Sequence, residues 1–227
     1  MHSWEIVRVR QQSVLIATLI APPLMVSIDW AYAFAALQRP PLHDTFRITG
    51  LPWGEARTQA AYECINRGHQ WLFFLDADVL APPHALMRLL GHRLPLVSAL
   101  YHQKFPTWTG TEVRYMPCMF NAGKDAQGNQ VRVEVGDFQY GQLVEAHFVP
   151  AGCLLIHRSV LERFLQAGIK RFFQWTMTAD TPQGMSEDFF FSGTAWSLGI
   201  KAVVDTGLQV VHEALAKVDV KGITPKI

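Results

Sequence analysis

The stretch Trp71-Leu72-Phe73-Phe74-Leu75-Asp76-Ala77-Asp78 constrains this chain more than any other. An apolar, aromatic-rich run leads into two aspartates spaced i, i+2. A continuous apolar run of this length reads as a strand buried on both faces, of the kind found inside an α/β sheet. Side chains at i and i+2 of an extended segment point the same way, so Asp76 and Asp78 are expected to project together from the strand's carboxyl end. Two carboxylates at a buried edge repel unless a cation lies between them. A divalent ion with oxygen ligands meets that need, and Mg²⁺ or Mn²⁺ commonly holds substrate phosphates as well. The plainer alternative is that the pair only ends the strand and caps the next helix.

The 227 residues suffice for one α/β domain with a sizeable core, or for two small ones. A hydrophobic content of 49% with 17% charged residues excludes disorder over most of the length. The net charge is +1 and the basic residues are scattered, so composition argues for no nucleic-acid partner and no anionic membrane surface. Cys64, Cys118 and Cys153 match neither a disulfide framework nor a metal ribbon, which points to buried thiols in a reducing, cytoplasmic interior. Residues 13–28 carry no charge, but Pro22-Pro23 stands at their centre and they fall short of the roughly 20 residues that a membrane span needs. Trp4, Glu5 and Asp29 do not fit a signal peptide. The expectation is a soluble protein without a transmembrane segment; peripheral contact with a membrane or partner through an apolar surface stays open.

Residues 13–18 read as the first strand. Pro22-Pro23 is expected to start a helix that carries Met25, Ile28, Ala31, Tyr32, Ala35 and Ala36 at helical spacing, until Arg39-Pro40-Pro41 stops it. Residues 44–49 read as a second strand and 55–67 as a helix, with Gly68 just past its end. The aspartate strand follows, then a helix from Pro82-Pro83 with Leu86, Met87, Leu89 and Leu90 on one side, then a strand over 94–101. This βαβαβαβ order implies a parallel sheet with right-handed crossovers. Residues 102–141 are polar and broken by Gly, Pro and Asn, with an alternating piece at 131–135, so a hairpin laid over the sheet is expected. Strand character resumes at 143–149 and 153–156. Helices are expected over 159–167 and 186–198, ended by Gly168 and Gly199, and final strands over 201–205 and 209–211.

In an open α/β sheet, ligands bind beyond the carboxyl ends of the strands, where Asp76 and Asp78 sit and where the loop from Thr18 would lie beside them. The chain has no GxGxxG turn and no Walker A motif, which argues against a Rossmann dinucleotide site and a P-loop nucleotidase. Ser186-Glu187-Asp188 opens a helix. Ser is a good N-cap and acids favour the first turn, yet a carboxylate held there also serves as a general base toward an acceptor hydroxyl. His212 is notable because a metal held by two aspartates needs further ligands, and imidazole suits Mn²⁺ better than Mg²⁺. Arg57 is either a surface residue or a contact to a nucleotide base or phosphate.

Together these features resemble the GT-A fold glycosyltransferases, most of all the family 2 type. The resemblance runs from about Ser13 to His212. Glu55-Ala56-Arg57 resembles the family's "aRn" position, although Thr58 follows where Asn is usual. Asp76-Ala77-Asp78 with Val79 and Pro82-Pro83 resembles the DXD motif. Ala151-Gly152-Cys153-Leu154-Leu155-Ile156 with Arg158 resembles the glycine turn and strand, and Glu187-Asp188 with Phe189-Phe190 the "ED" motif. Lys201 to Asp205, leading to His212, is similar to the terminal strand and metal histidine. The resemblance implies one GT-A domain with a mostly parallel central sheet flanked by helices, residues 13–101 forming a nucleotide-binding half and 102–213 an acceptor-binding half. It implies a UDP- or GDP-sugar donor contacted by Thr18, Arg57, Asp76, Ala77 and Asp78. Mn²⁺ or Mg²⁺ would be held by Asp78 and His212, with Asp76 on the ribose or the metal's shell. Asp188, with Glu187, would be the base, which goes with inversion at the anomeric carbon. Ala151, Gly152 and Trp108 would touch a carbohydrate, lipid or protein acceptor, with Tyr101 and Lys104 in the same region. The residue that reads the base is not evident, Asp29 and Asp44 being candidates. Two rivals stand beside this reading: a metal-dependent phosphohydrolase with Asp76 as nucleophile, and a non-catalytic nucleotide-sugar-binding module.

Overall fold

The computed structural model describes residues 12–20, 24–106, 113–178, 181–213, 216–219 and 222–225. The chain enters as β1 (Val14–Ile20), α1 (Ile28–Ala36), β2 (His43–Thr49), α2 (Trp53–Asn66) and β3 (Trp71–Leu75). It continues through β4 (Val79–Leu80), α3 (Ala85–His92) and β5 (Leu96–Leu100). Two hairpins follow, β6 (His102–Pro106) with β7 (Val113–Pro117), and β8 (Phe120–Lys124) with β9 (Gln130–Glu134). Then come β10 (Leu143–Ala146), β11 (Cys153–His157) and α4 (Arg158–Gln166), and the pair β12 (Thr176–Thr178) and β13 (Thr181–Met185). The helix α5 (Glu187–Ser197), β14 (Ala202–Gln209) and β15 (Val211–His212) precede a last hairpin of β16 (Ala216–Asp219) and β17 (Gly222–Pro225).

The central sheet has seven strands in the order β10-β14-β5-β11-β3-β1-β2. It is mixed rather than mostly parallel. β1 runs parallel to β2 and β3, and β14 parallel to β5, but β11 lies antiparallel between β3 and β5, and β10 antiparallel on β14. The early βαβ order gave the directions of β1, β2, β3 and β5 correctly. It gave the wrong neighbours, because β11 returns after the hairpins and takes the place that a βαβ reading assigns to direct β3–β5 pairing.

Strand β3 is buried along its whole length, as its unbroken apolar run requires. Trp71, Phe73 and Leu75 face a core shared with Leu86, Leu89 and Leu90 of α3. Leu72 and Phe74 face the opposite core with Ala56 and Ala60 of α2, Phe164 of α4 and Phe191 of α5. The sheet is thus sandwiched between helix layers, and the strand period of two sorts β3 between them. Buried Asp205 of β14 accepts from Arg88 at 2.6 and 2.9 Å and lies 2.7 Å from the His92 ring nitrogen, which ties α3 to the sheet.

Several local expectations shift by a turn. Helix α1 starts at Ile28 behind the Ser27 cap, whose hydroxyl accepts from the Trp30 amide at 2.9 Å, so Met25 precedes the helix. Pro22-Pro23 lies outside the described residues. Helix α3 likewise begins at Ala85, not at Pro82-Pro83. The helices α2 and α4 end as expected, with Gly68 and Gly168 at φ of +75° and +79°. All three cysteines are free and buried. Burial pushes the Cys64 thiol up to about 12, so it stays protonated. No helix among the described residues is long and apolar enough to cross a membrane.

Phe73 has no exposed surface and sits at the centre of the α3-side core. Phe73→Ala is expected to cost about 4 kcal/mol of unfolding free energy through lost burial and a residual cavity. Urea denaturation should show a lower midpoint at unchanged slope.

Candidate functional site

The site lies at the carboxyl end of β3, where strand pairing gives way to a turn. Asp76 still extends the ladder, its amide donating to the Gly152 carbonyl at 2.9 Å. The Val79 amide then donates back to the Asp76 carbonyl at 3.1 Å, which closes a turn through Ala77 and Asp78. The Ala77 amide donates to Leu19 of β1 at 3.2 Å. The two aspartates therefore do not project together as in a continuing strand, and the turn sends them to different partners.

Asp76 goes to the α2 side of the sheet, the side of Leu72 and Phe74. Its Oδ2 accepts from the Arg57 guanidinium at 2.6 Å, both side chains being nearly buried. Arg57 also donates to Glu187 Oε1 and to the Ala151 carbonyl, each at 3.4 Å, and lies 5.0 Å from the centre of the Phe74 ring. Its reading as a surface residue is thus overturned. Burial works against the Arg57 charge, but Asp76 and Glu187 outweigh it and hold the guanidinium charged. Burial raises the pKa of Asp76 while Arg57 lowers it, and the direction that prevails is upward. The Asp76 carbonyl accepts from the Trp30 indole at 2.8 Å, a contact that nothing in the sequence announces. Among the described residues neither Asp76 Oδ1 nor the hydroxyl of Thr18 in β1, both buried, has a partner. Buried polar atoms left unpaired carry a desolvation cost that a bound ligand relieves.

Asp78 goes the other way. Its Oδ2 lies 3.3 Å from Nε2 of His212, on β15, which pairs with β4 immediately after the aspartates. The bond to Asp78 raises the pKa of His212 against the opposing effect of burial. The His212 ring tilts against Tyr101 at 5.3 Å between centroids. Glu213 closes this edge, its amide donating to the Asp78 carbonyl at 2.7 Å and its carboxylate accepting from Ser27 at 2.8 Å. Asp78 and His212 are therefore brought together as expected, whereas Asp76 is turned to Arg57. Among the described residues no group of three or more His, Cys, Asp or Glu side chains is arranged to hold a metal ion.

Glu187 and Asp188 open α5 beside Arg57. Ser186 makes no capping bond to the helix backbone. Its hydroxyl donates to Asp188 Oδ1, which also accepts from the Phe189 amide at 2.8 Å. Burial, then the neighbouring Glu187 charge, pushes the Asp188 carboxyl up to about 6, against the pull of Ser186, Arg57 and the Phe189 amide. A carboxyl titrating there is ionised at neutral pH yet basic enough to take a proton. Gly152 is a close-approach point: a Cβ there would lie 3.0 Å from Val79, 3.3 Å from Tyr101 and 3.4 Å from Asp76 Oδ2. Ala151 is buried behind Arg57. Trp108 lies outside the described residues. Asp44 sits on the edge strand β2, 3.1 Å from the His69 ring nitrogen.

Sequence reasoning missed the cleft beside the site. It has a volume of about 710 Å³ and runs between the start of α2 and residues 171–175, with Glu187 in its lining. Its most exposed aromatics, Trp53 and Trp175, stand in no motif, which is why no pattern singled them out.

No protein-family model matches the sequence. Over 112 residues the chain is 29% identical to the mannan polymerase complex subunit MNN9 of Candida albicans. The match covers 48% of this chain and 28% of MNN9, so the chain spans little more than a quarter of that relative. Among solved structures, the crystal structure of A197 from STIV superposes on 95% of this chain and 94% of its own, with a TM-score of 0.54 and 12% identity. That likeness establishes a shared fold and nothing more.

Arg57→Leu is expected to cost about 3 kcal/mol at pH 7, because it strands a buried carboxylate. The cost should shrink toward pH 4, where a protonated Asp76 needs no cation. Adding Asp76→Leu should recover part of the loss, giving a coupling above about 1 kcal/mol in a double-mutant cycle read by urea denaturation. Strict additivity would contradict the pairing.

Proposed function

We propose that this chain is a glycosyltransferase that moves a sugar from a nucleoside-diphosphate sugar to an acceptor hydroxyl, with a divalent cation and with inversion at the anomeric carbon. The observation that carries this reading is the convergence, at one end of β3, of a buried arginine, two separated aspartates, a histidine and a pair of helix-opening acids. The similarity to MNN9 supports a glycosyltransferase-related role at the coarse level. The name of that protein makes a mannose polymer a natural first acceptor to try.

The roles follow from the environments. Asp78 and His212 would hold Mn²⁺ or Mg²⁺, and the unpaired Asp76 Oδ1 and Thr18 hydroxyl would meet donor atoms or ordered water nearby. Such ions are commonly bound by one or two carboxylates together with substrate phosphates, so a preformed three-ligand cage is not required. When bound, the cation supplies positive charge against the leaving diphosphate. Arg57, fixed by Asp76 and Glu187, adds a permanent positive charge to the same end of the sheet. Asp188 accepts the proton of the acceptor hydroxyl, and the oxygen then attacks the anomeric carbon from the side opposite the diphosphate. Ser186 and the Phe189 amide hold that carboxylate in place. Glu187 keeps Arg57 oriented and raises the basicity of Asp188. Asp76 Oδ2 is buried and already engaged by the Arg57 guanidinium at 2.6 Å, which weighs against its use as a nucleophile in phosphoester hydrolysis.

A thermal-shift panel of UDP, GDP, CMP and TDP, each with and without Mn²⁺, tests the donor site. One nucleoside diphosphate should raise the melting temperature, and more so with metal, because a ligand of the native state alone stabilises it. No shift with any nucleotide in Mn²⁺ would refute the transferase reading. In a transfer assay, the rate should rise through about pH 6 as Asp188 ionises and level off above. Asp188→Asn should remove that limb and lower kcat by about two to four orders of magnitude.

A further inference from the structure

We propose that the cleft between the start of α2 and residues 171–175 binds a carbohydrate acceptor, with a pyranose ring seated on Trp53 and Trp175 and its hydroxyl edge directed toward Glu187. This rests on the transferase reading above and narrows its acceptor from carbohydrate, lipid or protein to carbohydrate.

The cleft is continuous with the catalytic groups. Glu187 lines it and also holds Arg57 at 3.4 Å. The Arg57 guanidinium lies 6.0 Å from the centre of the Trp53 ring. A ligand in the cleft therefore meets Glu187, the residue that precedes Asp188 in α5.

The walls are built rather than incidental. Gly54 packs so tightly that a Cβ there would stand 2.9 Å from the Phe173 carbonyl. The Thr58 hydroxyl donates to that carbonyl at 3.2 Å and accepts from the Phe173 amide at 3.1 Å, which ties α2 to the opposite wall. Trp175 is 62% exposed, yet its ring lies against Gly184, where a Cβ would come within 2.8 Å of the indole nitrogen. Gly184 has φ of +77°, a conformation that suits glycine. The ring is thus braced along one edge and offers the rest to solvent. Trp53 is 40% exposed on the same cleft. Exposed tryptophans cost free energy in water unless a partner covers them.

The chemistry of the lining selects the occupant. The aromatic residues Trp53 and Trp175 share the lining with the polar Glu55, Gln59, Gln174 and Arg171. A pyranose presents an apolar C–H face and a rim of hydroxyls, which matches exposed indoles among amides and charges. An acyl chain would leave those polar groups desolvated and unpaired. The volume of about 710 Å³ admits a short oligosaccharide and falls within the ordinary range for small-ligand sites.

The test is isothermal titration of the full chain with mannotetraose, maltotetraose and chitotetraose, each with and without the stabilising nucleoside diphosphate and Mn²⁺. One oligosaccharide should bind, and Trp53→Ala and Trp175→Ala should each weaken it about tenfold, with Trp175→Phe retaining most of the affinity. Trp175→Ala should keep the wild-type far-ultraviolet spectrum and the nucleotide-induced thermal shift. If nucleotide binds but no oligosaccharide does, or if the variants bind it like wild type, the cleft assignment is wrong and the transferase reading stands. Competition between nucleotide and oligosaccharide would make the cleft a base pocket and overturn the proposal. Dodecylphosphocholine bound below its micellar concentration, in place of any sugar and sensitive to Trp175→Ala, would overturn it in favour of a lipid. Oligosaccharide binding without any nucleotide shift would retain the cleft and remove the transferase reading instead.

Discussion

Everything at the working end of this molecule depends on one buried ion pair. Arg57 and Asp76 meet at 2.6 Å between α2 and the end of β3, almost out of contact with water. Burying either charge alone is costly, so each is tolerable only because the other is there. The pair fixes the Arg57 guanidinium against Phe74, sets the distance to Glu187 and anchors the Ala151 carbonyl. It thereby locks together α2, β3, the turn before β11, and the start of α5. Charges fixed in this way can stabilise developing charge without reorganising.

The same corner separates acids that the sequence places side by side. Asp76 is shifted upward by burial, the Asp78 carboxylate pairs with His212, and Asp188 is pushed up to about 6 beside Glu187. In the function proposed above, carboxylates with environments this different take different chemical parts: one structural and ligand-facing, one for a cation, one for a proton. The turn through Ala77 makes the first division, and the start of α5 makes the second.

Much of the fold was legible in advance because burial has a period. The unbroken apolar run of β3, the apolar faces of α2, α3 and α4, and glycines at +75° and +79° after α2 and α4 are local consequences of local residues. The position of β11 was not legible. Its pairing with β3 and β5 brings together segments about eighty and sixty residues apart in sequence, and nothing in Cys153–His157 states which strands it will join or in which direction. The site was legible to a similar degree. Arg57, Asp76, Asp78, Glu187, Asp188 and His212 were all singled out as residues. Their partners were not, because an i, i+2 spacing implies a shared face only while the strand stays extended, and here the Val79–Asp76 bond ends it.

By itself the sequence determined which residues are apolar enough to be buried, where helices stop, and which titratable groups have no plain structural excuse. Those are properties of neighbouring residues and of solvation. Only the tertiary structure decided that Arg57 is interior, that Asp76 belongs to it rather than to Asp78, that the sheet is mixed, and that Trp53 and Trp175 share one cleft beside Glu187. Each of these depends on groups far apart along the chain, and the free energy that selects among such encounters comes from packing and desolvation, which a linear pattern does not contain.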